Sequence, residues 1–265
     1  MNEAILGGLI AGGTDPSDIV ATVRRAERAD ELAKRHHGIT AIAGEEEPEN
    51  NKQAATGAGV VILGVKPVGI ADLAREIGDS LASDAIVISV AAAVSLEQLE
   101  AALPAGQPVI RTMPNTPAKL GRGVVSVSPG THCSPAQLQR AKDVLAAAGT
   151  VVEIPEHQVD ALSAISGSGP AYAFYLAEAM ADAGVELGLD RELSLLIARE
   201  TVAGAGLMLA EPGADPTALR KAVTSPNGTT ERAIATFDAR GLPAIIADGA
   251  RAAAARAAEI TKQLG

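Results

Sequence analysis

Short apolar runs alternate with amphipathic stretches along the first half of the chain. The runs are rich in Val and Ile and are bounded by Gly, Pro or polar residues, which is typical of β-strands. Predicted strands cover residues 19–23, 39–42, 60–65, 85–90, 108–113 and 123–127. Predicted helices cover residues 27–36, 68–83 and 135–148, and a further helix follows an N-cap at Ser95. Because the strands are apolar almost throughout, we predict a mostly parallel, doubly wound α/β sheet covered on both faces.

The pattern changes near Pro155, and from there to the end the apolar residues follow helical spacing. The longest predicted helices cover residues 170–187 and 190–209, the second with Asp190 as its N-cap. We therefore divide the chain into a dinucleotide-binding domain, residues 1–154, and an all-α domain, residues 155–265.

The helix predicted over residues 190–209 is apolar over most of its surface, and such a helix is usually buried. A domain of about 110 residues has a limited interior. We therefore favour burial against a second copy of the chain over an ordinary intrachain core. A homodimer is expected, and a higher oligomer of dimers stays open.

Composition narrows the classes of partner. The net charge is −10 and aromatic residues make up 2% of the chain, so nucleic acid is not expected. The single Cys133 excludes an intramolecular disulfide, and the four histidines show no metal spacing, so no metal site is predicted. No apolar run reaches membrane-spanning length and no leader pattern opens the chain. These features favour a cytoplasmic protein that acts on a small-molecule substrate, away from membranes.

Arg24 and Arg25 directly follow the strand predicted over residues 19–23. At the end of the second strand of a dinucleotide-binding fold, an arginine pairs with a 2′-phosphate, whereas an acidic residue selects the bare 2′-hydroxyl. This placement favours NADPH, with NADH possible. A solvated basic turn is the alternative.

Two turns that contain proline, residues 64–67 and residues 111–117, end predicted strands. Ligands of open α/β sheets bind outside the carboxyl ends of the strands. Asn115 is suited to hydrogen-bond a nicotinamide amide there. Rigid loops without a ligand are the alternative.

The sequence from Pro226 to Gly228 predicts a tight turn, which Thr229 and Thr230 follow at the start of a helix. Free N–H groups at a helix start, together with small hydroxyls, suit a small carboxylate. An ordinary N-cap by Thr229 or Thr230 explains this stretch equally well.

Five stretches, in this order, resemble those of the pyrroline-5-carboxylate reductases. They are residues 65–67, 90–92, 113–117, 166–172 and 223–230. The likeness runs over essentially the whole chain. It implies a Rossmann-type domain followed by an all-α dimerisation domain. It also implies NAD(P)H-dependent reduction of 1-pyrroline-5-carboxylate to L-proline, a step of proline biosynthesis.

The resemblance implies roles for single residues. Those on the cofactor side are Met1, Arg24, Asn51, Gly64, Val65, Lys66, Pro67, Val90, Ala91, Ala92 and Asn115. Those on the substrate side are Glu156, Val223, Thr224, Ser225, Gly228, Thr229 and Thr230. Thr230 is the expected catalytic residue, whose hydroxyl bonds the ring nitrogen of the imine and helps to deliver a proton.

The start of the chain departs from the family pattern. Family members begin with a strand and a Gly-x-Gly-Asn-Met loop, whereas residues 1–9 resemble the last Met of that loop and the helix after it. About ten residues, roughly one strand and a turn, are therefore expected to be absent. If the chain starts at Met1, we expect unpaired ladder groups on two strands, weak cofactor binding and low stability.

Two other interpretations stay open. A β-hydroxyacid dehydrogenase or a related imine reductase shares the two-domain organisation. Such enzymes usually rely on a lysine in the helical half, where this chain has only Lys221 and Lys262. The other interpretation is a non-catalytic homologue that has lost its phosphate loop, against which the intact stretch 223–230 speaks.

Overall fold

A computed structural model describes residues 1–264, which form two compact units. The first unit comprises Met1–Gly167 together with the end of the last helix, from Ala254 onward. The second unit comprises Ser168–Ala253. The domain boundary predicted between residues 154 and 155 stays a prediction.

All the strands among the described residues lie in the first unit. They are β1 (Val20–Val23), β2 (Thr40–Ala43), β3 (Val60–Leu63), β4 (Ile86–Ser89), β5 (Val109–Pro114), β6 (Gly123–Pro129) and β7 (Gly149–Glu153). Strands β1 and β2 form one parallel pair. Strands β3 to β7 form a second sheet in chain order, parallel except between β5 and β6. The predicted, mostly parallel α/β architecture is confirmed.

Helices alternate with these strands and form the second unit. Those of the first unit are α1 (Asn2–Ala11), α2 (Ala26–Arg35), α3 (Asn50–Ala55), α4 (Ile70–Ile77), α5 (Leu96–Ala102), α6 (Pro135–Ala146) and α7 (Val159–Leu162). The second unit contains α8 (Gly169–Glu186), α9 (Arg191–Leu209), α10 (Pro216–Ala222), α11 (Thr229–Ala239) and the first part of α12 (Leu242–Leu264). Among residues 1–264, no helix is both long and apolar enough to cross a membrane.

The predicted helix starts agree well with the structure. The side chains of Ser95, Ser134 and Asp190 each accept the backbone N–H three residues further on, so all three predicted N-caps are confirmed. The helix predicted over residues 68–83 is shorter, because α4 covers only Ile70–Ile77 and short 3-10 turns flank it.

Helix α1 packs against both sheets. Ile5 is buried with Ile88 and Ile110 of the five-stranded sheet, and the next residue, Leu6, is buried with Leu32 beside the two-stranded sheet. Among the described residues, β1 and β3 each have a single strand neighbour. Side-chain packing on α1 therefore connects the two sheets. The expected absence of about ten residues before Met1, with the weak cofactor binding and low stability expected from it, stays a prediction.

Glu3, in the first turn of α1, is held by basic side chains. Its carboxylate accepts hydrogen bonds from Arg28 and Arg35, each at 2.5 Å, and lies 3.3 Å from the Nε2 atom of His36. Burial by itself raises the pKa of Glu3. The hydrogen bonds from Arg28, Arg35 and His36 outweigh that effect and lower the pKa from 4.5 to about 2.

We expect Glu3→Gln to destabilise the protein near neutral pH and to have a smaller effect in acid. A carboxylate whose pKa is lowered on folding adds stability above its unfolded pKa of 4.5, and that stability is lost as pH falls towards about 2. Thermal melts of both proteins at about pH 7 and about pH 3 test this. A melting difference that is the same at both pH values contradicts it.

Ala93 lies after β4 in the left-handed region, with φ at 62°. A β-carbon in that region costs about 1–2 kcal/mol. Glycine avoids this cost, but it loses more conformational entropy on folding than alanine does, which offsets part of the gain. We expect Ala93→Gly to raise the free energy of unfolding by about 1 kcal/mol, measured by denaturant titration. Ala92→Gly is the matched control, and it should destabilise, because Ala92 has no positive φ to relieve.

Candidate cofactor and substrate sites

The carboxyl ends of β3, β4 and β5 meet at one edge of the five-stranded sheet. The Val90 N–H donates to the carbonyl of Leu63 at 3.1 Å, which joins the start of residues 90–92 to the end of β3. Residues 64–67 continue from β3, and Asn115 follows β5. The structure thus brings these predicted cofactor contacts to the edge where α/β sheets bind ligands.

The N-terminus of α1 lies against the end of β3. A β-carbon on Gly64 would come within 1.8 Å of the side-chain amide of Asn2, so a larger residue at position 64 would displace that side chain. Met1 is the N-cap of α1, and no side chain caps this helix. Free N–H groups and a positive dipole end at a helix start suit a phosphate. The residues present therefore fit the phosphates of a dinucleotide.

Arg24 stands at the carboxyl end of β1 with an exposed side chain, which forms no ion pair among residues 1–264. The strand end behind it is fixed by Asn50, a residue that the sequence did not single out. The buried Asn50 amide donates to the carbonyls of Val23 at 3.3 Å and Ile42 at 3.2 Å. It therefore ties the ends of β1 and β2 together. An asparagine in a polar stretch carries no sign that it will be buried.

Asn51, predicted on the adenosine side, lies in α3. Its side-chain amide donates to the Oε1 atom of Glu76, in α4, at 3.0 Å. The structure thus places Asn51 one residue after the buried Asn50, but it commits one of the two amide hydrogens of Asn51 to another helix.

Asn115 is 8% exposed, and both the nitrogen and the oxygen of its side-chain amide form hydrogen bonds within the protein. Its Nδ2 atom donates to the carbonyl of Ser166 at 2.9 Å, and its Oδ1 atom accepts the N–H of Val124 at 2.9 Å. Asn115 therefore fastens the π-helical turn Ser163–Gly167 to the end of β5. Its predicted contact with a nicotinamide stays a prediction, for which the second Nδ2 hydrogen is available.

Glu156, predicted on the substrate side, lies in the first unit and forms an ion pair with Arg111. The Glu156 Oε1 atom accepts a hydrogen bond from Arg111 at 2.8 Å and another from the backbone N–H of Leu96 at 2.6 Å. The Arg111 side chain is 6% exposed, so this pairing offsets a large desolvation cost. Glu156 therefore connects β5 to the start of α5, a role that the sequence did not indicate.

In the second unit, residues 223–228 connect α10 to α11, and Thr229 and Thr230 are the first residues of α11. The N-cap of α11 is Gly228, so an N-cap at Thr229 or Thr230 is wrong. No side chain caps this helix, and among the described residues the N–H groups of Thr229, Thr230 and Glu231 have no acceptor. The start of α11 is therefore open to an anion.

The turn before α11 uses its own amides internally. The Gly228 N–H donates to the carbonyl of Ser225 at 3.0 Å. The Asn227 N–H donates to the Oε2 atom of Glu231 at 2.9 Å, and Asn227 is left-handed with φ at 61°. The predicted substrate contacts from Val223 to Thr230 thus lie in one short segment. Glu156 belongs to the other unit.

Helices α8 and α9 expose many large apolar side chains. They include Phe174, Tyr175, Leu176, Leu195, Leu196, Leu207 and Met208. An exposed apolar surface of this extent is typical of an interaction site.

A mostly parallel α/β sheet whose edge fits a dinucleotide, followed by a helical unit, is the organisation of the Rossmann-type oxidoreductases. Residues 1–93 match the family model described as NADP oxidoreductase coenzyme F420-dependent, and residues 156–260 match the model described as pyrroline-5-carboxylate reductase dimerisation. The chain belongs to the pyrroline-5-carboxylate reductase family.

Curated relatives support this assignment over the full length. The pyrroline-5-carboxylate reductase of Corynebacterium melassecola is 39% identical over 265 residues, which cover 99% of this chain and 96% of the relative. That of Pseudomonas aeruginosa is 39% identical over 266 residues, which cover 100% of this chain and 95% of the relative.

Solved structures of pyrroline carboxylate reductases also resemble this chain over almost its full length. The pyrroline-5-carboxylate reductase of Coxiella burnetii is 34% identical, with a TM-score of 0.90 over 98% of this chain and 94% of that chain. The pyrroline carboxylate reductase of Plasmodium falciparum, solved with NADP bound, is 22% identical with a TM-score of 0.79 over 98% of this chain and 94% of that chain. At this identity, the second likeness is one of fold alone.

Proposed function

We propose that this protein reduces 1-pyrroline-5-carboxylate to L-proline, with NADPH as the preferred cofactor. The observation that carries the proposal is the open start of α11, in a chain that is 39% identical to reductases of that name. Three adjacent N–H groups without acceptors suit a small carboxylate, and the imine substrate carries one.

The first unit supplies the residues that would hold the cofactor. The start of α1, beside Gly64, suits the pyrophosphate, and residues 64–67 and 90–92 would line the rest of the site. Arg24 would pair with the 2′-phosphate and so favour NADPH over NADH. When bound, this cofactor supplies the hydride that reduces a C=N bond.

The second unit supplies the residues that would hold the substrate. The N–H groups of Thr229, Thr230 and Glu231 would bind the carboxylate, helped by the positive end of the α11 dipole. The Thr230 hydroxyl would then bond the ring nitrogen and help to deliver its proton. A protonated imine is already electrophilic, so orientation of the ring accounts for most of the rate gain.

We also propose that the protein is a homodimer that buries the apolar faces of α8 and α9. The exposed side chains on these helices and the match of residues 156–260 to a dimerisation model support this proposal. Burial of apolar area contributes about 25 cal/mol per Å² to association, and the freedom lost on binding offsets part of this gain. Sedimentation of the purified chain should give at least twice the monomer mass. The cytoplasmic location stays a prediction.

An assay of the purified chain tests the proposed activity. The chain is incubated with NADPH and 1-pyrroline-5-carboxylate, and the loss of NADPH is compared with the L-proline formed. We expect one L-proline for each NADPH consumed, and no reduction of NADP when β-hydroxyacids are supplied instead. Oxidation of β-hydroxyacids favours the dehydrogenase alternative. Cofactor binding without any turnover favours the non-catalytic one.

A further inference from the structure

We propose that Glu231 is a positioning residue that holds the turn before α11 in the shape that receives the substrate carboxylate. The inference rests on the proposed function above and adds a residue to it. It starts from a single hydrogen bond, in which the Glu231 Oε2 atom accepts the Asn227 N–H at 2.9 Å.

This bond is one half of a capping box. In a complete box, the acid at the third helical position accepts the N-cap N–H, while the N-cap side chain accepts the N–H of the third position. Here the N-cap, Gly228, has no side chain, and its own N–H is bonded to Ser225 at 3.0 Å. Glu231 therefore reaches one residue further back, to Asn227. The hydrogen bond between the acid and the turn is therefore present. The hydrogen bond between an N-cap side chain and the first turn of the helix is absent.

The conformation of Asn227 gives the bond a role. Asn227 is left-handed, with φ at 61°, a region that asparagine adopts more readily than most residues with a β-carbon but that is still less favoured than negative φ. The carboxylate of Glu231 stabilises the turn against relaxing to a conformation with negative φ. That relaxation would redirect the chain at Gly228 and misplace the open amides that follow.

Two other helices of the second unit differ from α11 because an acidic N-cap side chain binds their first-turn N–H groups. Asp190 accepts a first-turn N–H of α9, and Asp215 accepts two first-turn N–H groups of α10. An acid at either of those positions closes the helix start. In α11 the acid is Glu231, which bonds backward and leaves the first amides free.

The negative charge of Glu231 weakens binding of the substrate carboxylate, whereas its hydrogen bond to the turn is proposed to favour that binding. A carboxylate in the first turn repels a second carboxylate bound at the same end. The turn therefore needs an acceptor oxygen, and the negative charge is a cost. Ala and Gln at position 231 both remove the charge, but only Gln keeps an acceptor. The difference between these two variants isolates the hydrogen bond.

Steady-state kinetics of E231A and E231Q in the full chain test the inference. We expect E231A to raise both the KM for 1-pyrroline-5-carboxylate and the inhibition constant of L-proline roughly fivefold, the effect of one exposed hydrogen bond. The KM for NADPH should stay unchanged. E231Q should recover both constants to within about twofold of the wild type, or below it because the repulsion is gone. The matched control is E192A, which removes an exposed acid from the first turn of α9.

The outcomes separate this inference from the proposed function. Equal constants for E231A and E231Q, or an E231A variant that matches E192A, would overturn the role of Glu231 while leaving the reductase activity intact. A wild type that forms no L-proline would overturn the proposed function itself. Melting temperatures of both Glu231 variants should stay within about 4 °C of the wild type, the shift expected from one hydrogen bond, so a difference between their constants reports the binding turn and not a loss of fold.

Discussion

Replacing Thr230 by Ala should lower turnover of the imine on the order of 10²-fold. The variant loses the hydroxyl proposed to bond the ring nitrogen but keeps the backbone N–H proposed to hold the carboxylate. The KM for NADPH should change little, since Thr230 belongs to the second unit and the predicted cofactor residues belong to the first. Single-turnover measurements with saturating imine separate the chemical step from binding.

Two neighbouring substitutions serve as controls for Thr230. Thr230→Ser keeps a hydroxyl at the same position and should recover most of the rate. Thr229→Ala removes the adjacent hydroxyl from the same helix start and should have a smaller effect. Unchanged turnover in Thr230→Ala would remove this residue from the mechanism.

Glu156→Ala should destabilise the protein by about 3 kcal/mol, because it leaves the guanidinium of Arg111 buried without its partner. Arg111 is 6% exposed and Glu156 is 31% exposed, which places the effect at the lower end of the range for buried ion pairs. The variant also removes the acceptor of the Leu96 N–H at the start of α5. Denaturant titration monitored by circular dichroism measures the loss.

Glu153→Ala is the matched control for Glu156. Glu153 also pairs with a basic residue, Lys142 at 2.5 Å, but its side chain is 50% exposed. Exposed pairs contribute about 0–1 kcal/mol, so this variant should unfold almost as the wild type does. If Glu156→Ala retains full stability and instead raises the KM for the imine, Glu156 acts on the substrate side, as the family resemblance implies.

The sequence predicted those parts of the fold that depend on local pattern. Strand β3 is an unbroken run of apolar residues and β4 is one up to Ser89, while the residue types themselves indicate the N-caps at Ser95 and Ser134. Strand β7 was missed because its core is only Val151 and Val152, placed directly after a helix. Its strand character comes from pairing with β6, which no local pattern records.

The predicted site also has parts that depend on local sequence and parts that depend on contacts between distant segments. The turn from Pro226 to Gly228 and the helix start after it were predicted, because Pro, Asn and Gly set the backbone locally. The contacts that fix the sites join residues far apart in the chain, such as Asn115 with Ser166 and Glu156 with Arg111. Such pairs form only once the sheet is assembled, so one sequence does not reveal them.

A crystal structure of the protein with L-proline and NADPH bound tests the central claim most directly. We expect the proline carboxylate oxygens within about 2.7–3.2 Å of the backbone nitrogens of Thr229, Thr230 and Glu231, the range of an ordinary hydrogen bond. We also expect the proline nitrogen beside the Thr230 hydroxyl. A complex in which proline binds away from the start of α11, with those three amides facing solvent, would contradict this claim.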